Sequence, residues 1–179
     1  LEKKAFGLKT DLRKGDALIV FSKKSVLALA AHLENEGIRC SVIYGSLPPA
    51  TRREQVRRFL EGETEIVVST DAIGMGLNLP IRRIVFVETR KFDGVNRRDL
   101  TPEEIKQIAG RAGRYGLYDE GFVTAVDGLK VIEDGLLRMP MPIMKAYVGF
   151  PEQLLSLPSE IDNLIKIWAG MDAPSIYEK

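Results

Sequence analysis

The sequence predicts an α/β protein with a mostly parallel sheet and helices on both faces of that sheet. Short apolar runs alternate along the chain with segments of helical periodicity, an order typical of parallel strands joined by crossover helices. A length of 179 residues, with 45% hydrophobic and 28% charged residues, suits one such domain plus a small appendage.

Five apolar runs and three helical segments define the predicted fold. The predicted strands are Ala17–Phe21, Arg39–Tyr44, Glu65–Ser69, Arg83–Val87 and Gly121–Val126. The predicted helices are Lys24–Glu36, Pro48–Leu60 and Pro102–Arg114. Beyond Val126, prolines interrupt short apolar helices. We therefore expect the α/β domain to span residues 1–127 and a helical C-terminal extension to span residues 128–179.

The last predicted helix begins with clear capping signals. Thr101 is a candidate N-cap, proline occupies the first turn and Glu104 stands at the capping-box position. At 100° per residue, one face is apolar and the opposite face carries Gln107, Arg111 and Arg114. The alternative is that the two arginines are simply a solvated pair of charges, which is common on a surface helix.

Two glycines, Gly110 and Gly113, lie inside this predicted helix. Glycine in a helix interior is less favourable than alanine by roughly 1 kcal/mol. We therefore expect another group to approach the helix backbone closely, and a phosphate-bearing ligand would fit.

Polar segments follow three of the predicted strands, where ligands of parallel sheets bind. A glycine-rich turn, Ser69–Asn78, comes after the third strand, and a tight connection is the alternative interpretation. After the first strand, Ser22 is a candidate N-cap with Lys23 beside it, which is compatible with a phosphate site. The helix after the second strand turns Arg52 and other arginines away from the core, and a solvated face is the alternative there.

These segments together resemble a known family. The pattern Q-x-x-G-R-x-G-R at Gln107–Arg114 is similar to the sixth motif of superfamily-two helicases, Ser69–Asn78 to the fifth and Phe21–Ser25 to the fourth. With Lys-Phe-Asp-Gly at residues 91–94, the chain looks like the Suv-type RNA helicases, which include the mitochondrial RNA-degradosome helicase and its bacterial relatives. The resemblance covers about Asp16–Val126 and implies the second RecA-like domain of a helicase core.

The resemblance implies roles for particular residues. Arg111 and Arg114 would reach the β- and γ-phosphates of ATP held on another domain, and Gln107 would help to set the nucleotide and the attacking water. Gly76 would let backbone amides approach the nucleotide, and Asn78 would meet the ribose hydroxyls. The implied nucleic-acid contacts are Ser22, Lys23, Arg52 and Thr70.

A predicted hairpin lies between Val87 and Thr101. Asp93-Gly94 is a hairpin signal, and basic residues flank it: Arg90, Lys91, Arg97 and Arg98. We expect this hairpin, including Lys91, to contact nucleic acid near the point of strand separation. An ordinary exposed loop is the alternative.

For the full protein, the resemblance implies an ATP-driven RNA helicase. This sequence has no G-x-x-x-x-G-K-[ST] loop, so we expect ATP and its Mg²⁺ to be bound mainly by a missing N-terminal RecA-like domain. The chain alone should not hydrolyse ATP. The expected partners are single-stranded RNA or a tailed duplex, that N-terminal domain of the same parent chain, and an exoribonuclease; we expect a monomer.

The composition of the chain argues against several kinds of surface and binding site. A net charge of +1 argues for a local nucleic-acid patch instead of a generally basic surface. One cysteine excludes an intramolecular disulfide, and one histidine argues against a zinc site. The sequence has no run of transmembrane length and no signal peptide at its start, so we expect no membrane partner. We expect an intracellular protein and favour a bacterial cytoplasm over a mitochondrial matrix.

Two other functions stay open. One is a noncatalytic RNA-binding or scaffold module derived from a helicase domain, against which the intact Gln107, Arg111 and Arg114 argue. The other is an unrelated doubly wound nucleotide-binding enzyme, against which the missing phosphate loop and dinucleotide fingerprint argue.

Overall fold

Strands and helices alternate through the first two thirds of the chain. The computed structural model describes residues 1–2, 6–74, 76–113, 118–139, 142, 144–156, 160–172, 174–175 and 177–178. In chain order, the elements are β1 (Asp16–Ile19), α1 (Lys23–Asn35), β2 (Cys40–Ile43), α2 (Pro49–Leu60), β3 (Ile66–Ser69), a 3-10 helix (Asp71–Gly74), β4 (Arg83–Phe86), β5 (Arg90–Phe92), β6 (Arg97–Asp99), α3 (Pro102–Ala109), β7 (Phe122–Ala125), α4 (Leu129–Leu137), β8 (Ala146–Tyr147), a second 3-10 helix (Glu152–Ser156), α5 (Ile161–Gly170) and β9 (Tyr177–Glu178).

The central sheet has five parallel strands in the order β2-β3-β1-β4-β7. One face packs against α1 through Val26, Ala30 and Leu33. The other face packs against α2, α3 and α4, which contribute Phe59, Ile105 and Ile132 among others. The predicted mostly parallel sheet with helices on both faces is therefore confirmed, and each predicted strand and helix of the sheet is present.

Helix α3 is shorter than predicted. The prediction extended this helix to Arg114, whereas α3 ends at Ala109 and Gly110 is its C-cap. The backbone reverses beyond this point, since Gly113 has a φ of +76°. The two glycines therefore end the helix and do not lie in its interior, and the prediction of a continuous helix was wrong there.

Another stretch of the chain itself makes the expected close approach to Gly113. A Cβ atom at Gly113 would lie 2.7 Å from the backbone nitrogen of Gly121. The Gly113 N–H also donates to the carbonyl of Ile81 at 2.9 Å. Internal packing explains this glycine without a phosphate-bearing ligand.

Helix α4 packs with the sheet. Contacts divide the chain into two compact units, residues 1–139 and 140–179, so α4 belongs to the first. The boundary predicted at residue 127 lies before this helix and stays a prediction about domain organisation. In the second unit, β8 pairs with β9 in parallel, and the rings of Phe150 and Trp168 pack edge to face at 5.7 Å.

Candidate functional site

The candidate site lies along the edge of the sheet where the parallel strands end. Since β3 lies between β2 and β1, the turns after these three strands are neighbours. These turns hold Ser22 after β1, Gly45 after β2 and Thr70 after β3. Segments that are far apart in the sequence therefore meet at one edge.

Thr70 fixes the start of the glycine-rich turn. Its backbone N–H donates to the carbonyl of Ile43 at 3.1 Å, and its hydroxyl oxygen accepts from the N–H of Ala72 at 3.2 Å. A hydroxyl that accepts still has its own proton to donate. Thr70 is buried, and its hydroxyl oxygen holds the start of the turn, so its predicted phosphate contact stays a prediction.

Gly76 and Asn78 form an open part of this turn. Both residues are exposed, and Gly76 has a φ of +67°, a conformation that side chains other than glycine rarely adopt. Nothing lies within 4 Å of the position that a Cβ of Gly76 would take. The backbone there is accessible to an incoming group.

A pocket of about 430 Å³ connects this turn with the end of α3. Its lining includes Asn78 from the turn and Gly110, Arg111 and Gly113 from the segment after α3. Two of the predicted nucleotide-binding residues therefore line one pocket.

Gln107 of α3 and Arg111 from the segment after α3 both lie against Gly74. The Arg111 guanidinium donates to the carbonyl oxygen of Gly74. The side chain of Gln107 lies against the same residue, with its Cγ 3.2 Å from the position of a Gly74 Cβ. The fifth-motif and sixth-motif segments are in direct contact through these side chains. Arg114, the second predicted arginine finger, lies outside the described residues.

Ser22 and Lys23 begin α1 at an exposed surface. The Ser22 hydroxyl accepts from the N–H of Ser25 at 2.9 Å, which confirms the predicted N-cap. The ammonium of Lys23 lies 5.5 Å from the centre of the Tyr44 ring. An exposed lysine at a helix N-terminus is suited to binding a phosphate.

Arg52 is bonded to the turn after β2. Its Nη2 donates to the carbonyls of Tyr44 at 3.2 Å and Gly45 at 2.9 Å, and its Nε is buried without a partner among the described residues. Arg52 thus fastens this turn to α2. Its predicted nucleic-acid contact stays a prediction.

The predicted hairpin is present, formed by antiparallel β5 and β6. Asp93 closes its turn, since its carboxylate accepts from the N–H groups of Val95 and Asn96 at 2.9 and 2.8 Å. Lys91 on this hairpin is directed inward. Its ammonium lies 2.8 Å from a carboxylate oxygen of Asp71 and 3.2 Å from one of Glu104, and its side chain is only 19% exposed.

Glu104 is the most strongly bound acid of this network. It accepts two hydrogen bonds from Arg98 at 2.8 and 2.9 Å and one from the N–H of Thr101 at 2.9 Å, which completes the predicted capping box. The Arg98 guanidinium above all, helped by Thr101 and Lys91, lowers the pKa of Glu104 to about 2 against the opposing effect of burial. Partial burial disfavours the charged form of Lys91, but the hydrogen bonds with Asp71 and Glu104 outweigh it and raise the pKa of Lys91.

Sequence reasoning missed the partners of these cations. Asp71 was seen only as part of the glycine-rich turn, and Glu104 only as a capping residue. Glu88 carried no signal, although its carboxylate accepts from the N–H of Phe21 at 2.9 Å and so ties the end of β4 to the segment after β1. Long-range contacts of this kind leave no periodic pattern in a sequence.

The described residues offer neither a metal-binding cluster nor a membrane-spanning helix. In the part of the chain that the structure describes, no group of three or more His, Cys, Asp or Glu side chains could hold a metal ion. No helix among the described residues is both long and apolar enough to cross a membrane.

The family model and the relatives that match this chain are all helicases. Residues 3–116 match the helicase conserved C-terminal domain family. The chain is 43% identical over 166 residues to the mitochondrial ATP-dependent RNA helicase SUV3 of Oryza sativa subsp. japonica, covering 89% of this chain and 28% of that protein. It is 42% identical over 149 residues to the mitochondrial ATP-dependent RNA helicase SUV3 of Saccharomyces cerevisiae, covering 78% and 20%.

A solved structure supports the fold. A variant of S. cerevisiae Dbp5 bound to RNA and ADP BeF3 superposes with a TM-score of 0.57 at 20% identity, covering 72% of this chain and 34% of that chain. This likeness confirms the predicted RecA-like arrangement.

The same comparisons overturn the expected compartment. A bacterial cytoplasm was favoured, but the relatives from Oryza sativa and Saccharomyces cerevisiae are mitochondrial proteins of eukaryotes by name. The preference was wrong because the helicase-like motifs of this sequence carry no information about compartment.

The family match covers more than half of the chain, and the resemblance to Suv-type helicases is confirmed by relatives at 42–43% identity. The chain spans less than a third of the length of these relatives. This chain belongs to the helicase conserved C-terminal domain family.

Proposed function

We propose that this chain is the second motor domain of an ATP-dependent RNA helicase. In this role it presents Gln107, Arg111 and Arg114 to ATP held on an N-terminal RecA-like domain, and it grips the phosphate backbone of single-stranded RNA. The observation that carries the proposal is the convergence of Gln107 and Arg111 on Gly74, beside a pocket that Asn78 also lines.

Arg111 changes partner during the reaction. Its guanidinium is bonded to the neutral carbonyl of Gly74. A charged phosphate oxygen is a stronger acceptor than a carbonyl, because hydrogen bonds between charged groups are roughly twice as strong as neutral ones. When the nucleotide arrives across the cleft, Arg111 therefore exchanges the carbonyl for the phosphate and follows the charge that develops there.

The RNA backbone lies along the turns after β1, β2 and β3. Thr70 donates its hydroxyl proton to one phosphate, while Lys23 and the N-terminus of α1 at Ser22 attract another. Arg52 holds the turn after β2 and joins the contact from there. Backbone contacts of this type carry no base preference, so binding is independent of sequence and weakens with salt.

The remaining parts of the motor lie on the N-terminal domain. The sequence has no phosphate-binding loop, so ATP and its Mg²⁺ are held mainly by that domain and this chain alone does not hydrolyse ATP. A monomeric parent and an exoribonuclease partner follow from the resemblance to Suv-type helicases.

Steady-state ATP hydrolysis by the full-length parent tests the proposal. Arg111→Ala should lower RNA-stimulated kcat by about 10²-fold or more, in line with the roughly 10³-fold lower limit for arginine fingers. The matched control is Lys130→Ala, which removes an exposed cation of α4 that has no hydrogen bond or ion pair in the described structure. This control should keep wild-type kcat, and the isolated chain should show no hydrolysis.

Near-wild-type turnover in Arg111→Ala would contradict the proposal. The noncatalytic RNA-binding or scaffold module would then be favoured, because a scaffold needs no arginine at a phosphate. Hydrolysis by the isolated chain would equally contradict the assignment of ATP binding to another domain.

A further inference from the structure

The inner side of the β5–β6 hairpin joins two segments that the proposed function assigns to different ligands. Lys91 lies 2.8 Å from Asp71 and 3.2 Å from Glu104, measured between the ammonium nitrogen and a carboxylate oxygen of each. Asp71 directly follows Thr70 and begins the 3-10 helix that ends at Gly74. Glu104 stands in the first turn of α3, three residues before Gln107.

The three charged side chains form a partly shielded network. Their exposed fractions are 19% for Lys91, 22% for Glu104 and 41% for Asp71. Ion pairs that are partly removed from water are screened less by salt than pairs at an open surface. The ring of Phe21, from the segment after β1, lies 5.9 Å from the Lys91 ammonium and covers it further.

We propose that Lys91 is a positioning residue that couples RNA binding at Thr70 to the placement of Gln107 and Arg111 on the nucleotide. The inference rests on the proposed function, because it concerns how the two ligands of that domain communicate.

The charges of Lys91, Asp71 and Glu104 explain how the RNA site and the nucleotide site would be coupled. Glu104 retains Arg98 if Lys91 is removed, whereas Asp71 has no ion-pair partner within 4.0 Å other than Lys91 among the described residues. Without the shared ammonium, the carboxylates of Asp71 and Glu104 repel each other at the junction of the 3-10 helix and α3. Since α3 is a short rigid helix, displacement of its first turn displaces Gln107 and the arginine after it. A movement of Thr70 on RNA is no longer transmitted to the catalytic side chains.

The position of Lys91 distinguishes this role from direct contact with RNA. Its ammonium already has two carboxylate partners, and its side chain is less exposed than that of Arg90, which is 58% exposed. A phosphate could reach only the one remaining N–H of this largely buried ammonium, past two carboxylates that repel it. The hairpin therefore links the 3-10 helix after Thr70 to the first turn of α3.

A double-mutant cycle in the full-length parent tests the proposal. Lys91→Ala, Lys91→Arg, Asp71→Asn and the double variant Lys91→Ala/Asp71→Asn are compared, with Lys130→Ala as the exposed lysine control. Basal kcat, kcat at saturating single-stranded RNA and RNA Kd at several salt concentrations are measured for each.

Lys91→Ala should lower the ratio of RNA-stimulated to basal kcat by about tenfold, within the 5- to 150-fold range of coupling between sites. RNA Kd should change by less than about threefold, because no backbone contact is lost. Lys91→Arg should restore most of the ratio, since a guanidinium can donate to both carboxylates. The double variant should be no worse than Lys91→Ala, since residues in one network are not additive.

Three results would overturn the inference. One is an unchanged ratio in Lys91→Ala with weaker RNA binding and a salt slope shallower by about 0.7, which is the signature of a lost phosphate contact. Another is additive effects of Lys91→Ala and Asp71→Asn. The third is a lowered melting temperature with an unchanged ratio, which indicates a structural role alone.

The test separates this inference from the proposed function. If the wild-type parent shows no RNA-stimulated hydrolysis, the proposed function fails and not the role of Lys91. If Lys91→Ala does not fold, Asp71→Asn and Lys91→Arg carry the comparison, and a wild-type ratio in Asp71→Asn overturns the inference.

Discussion

Two glycine turns border the same pocket, and they need glycine for different reasons. Gly76 has a φ of +67° and Gly113 a φ of +76°, so both adopt a conformation that disfavours other residues. The space around Gly76 is open to 4 Å, whereas a Cβ at Gly113 would lie 2.7 Å from the nitrogen of Gly121. One turn leaves room for a ligand, and the other is filled by the protein's own backbone.

The comparison shows that a glycine-rich motif does not by itself mark a ligand contact. The turn at Gly76 is open to an incoming group, while the turn at Gly113 fixes the direction of the chain just after Arg111. The same distinction applies to the cations. Lys23 is exposed, whereas Arg111 and Lys91 already have partners within the protein.

The largest expected effect is on stability at the packed turn. Gly113→Ala adds both an unfavourable φ and a clash with Gly121, so we expect it to lower the free energy of unfolding by about 3 kcal/mol or more. Gly76→Ala is the matched variant at the open turn and should lower it by only about 1–2 kcal/mol, from the backbone conformation alone. Urea unfolding measures both, and equal losses would erase the difference between the turns.

A smaller effect on stability is expected from Glu104, the carboxylate that binds Arg98 and Lys91. The pKa of Glu104 is lowered to about 2 in the folded protein from an ordinary value of 4.5. Its contribution to stability is therefore fully present above pH 4.5 and is lost as the pH falls towards 2. Because Glu104 is partly exposed, we expect that contribution to be on the order of 2 kcal/mol.

Glu104→Gln should accordingly flatten the acid limb of the curve of unfolding free energy against pH. Glu103→Gln, which changes an exposed residue of the same helical turn, is the control and should leave that limb unchanged. Curves of identical shape for Glu104→Gln and the wild type would show that the Arg98 and Lys91 contacts do not stabilise the folded state.

Much of the fold could be predicted because its signals are local. The apolar runs gave the five strands of the sheet, Ser22 and Thr101 marked two helix starts, and Asp93-Gly94 marked the hairpin. The carboxyl edge of the sheet was predicted as the place where polar segments meet. Each of these features depends on residues that are close in sequence or on a general rule for parallel sheets.

The remaining features depend on contacts between distant segments. The backbone of Gly121 packs against Gly113 after the end of α3, and the partners of Arg52, Lys91 and Arg111 come from other segments of the chain. A helical-wheel projection placed Arg111 on a basic face but not against Gly74. Sequence periodicity thus predicted a shared face for Gln107 and Arg111 and not the contacts that they make with Gly74.

Single-turnover hydrolysis of pre-bound ATP by the full-length parent tests the central claim, that Arg111 leaves Gly74 to act on the reacting phosphate. Arg111→Lys keeps the charge but loses the planar fork. We predict that it slows the chemical step by about tenfold or more, with ATP affinity changed by less than about threefold, since the interaction strengthens in the transition state. A weaker ATP affinity with an unchanged chemical step would contradict this account.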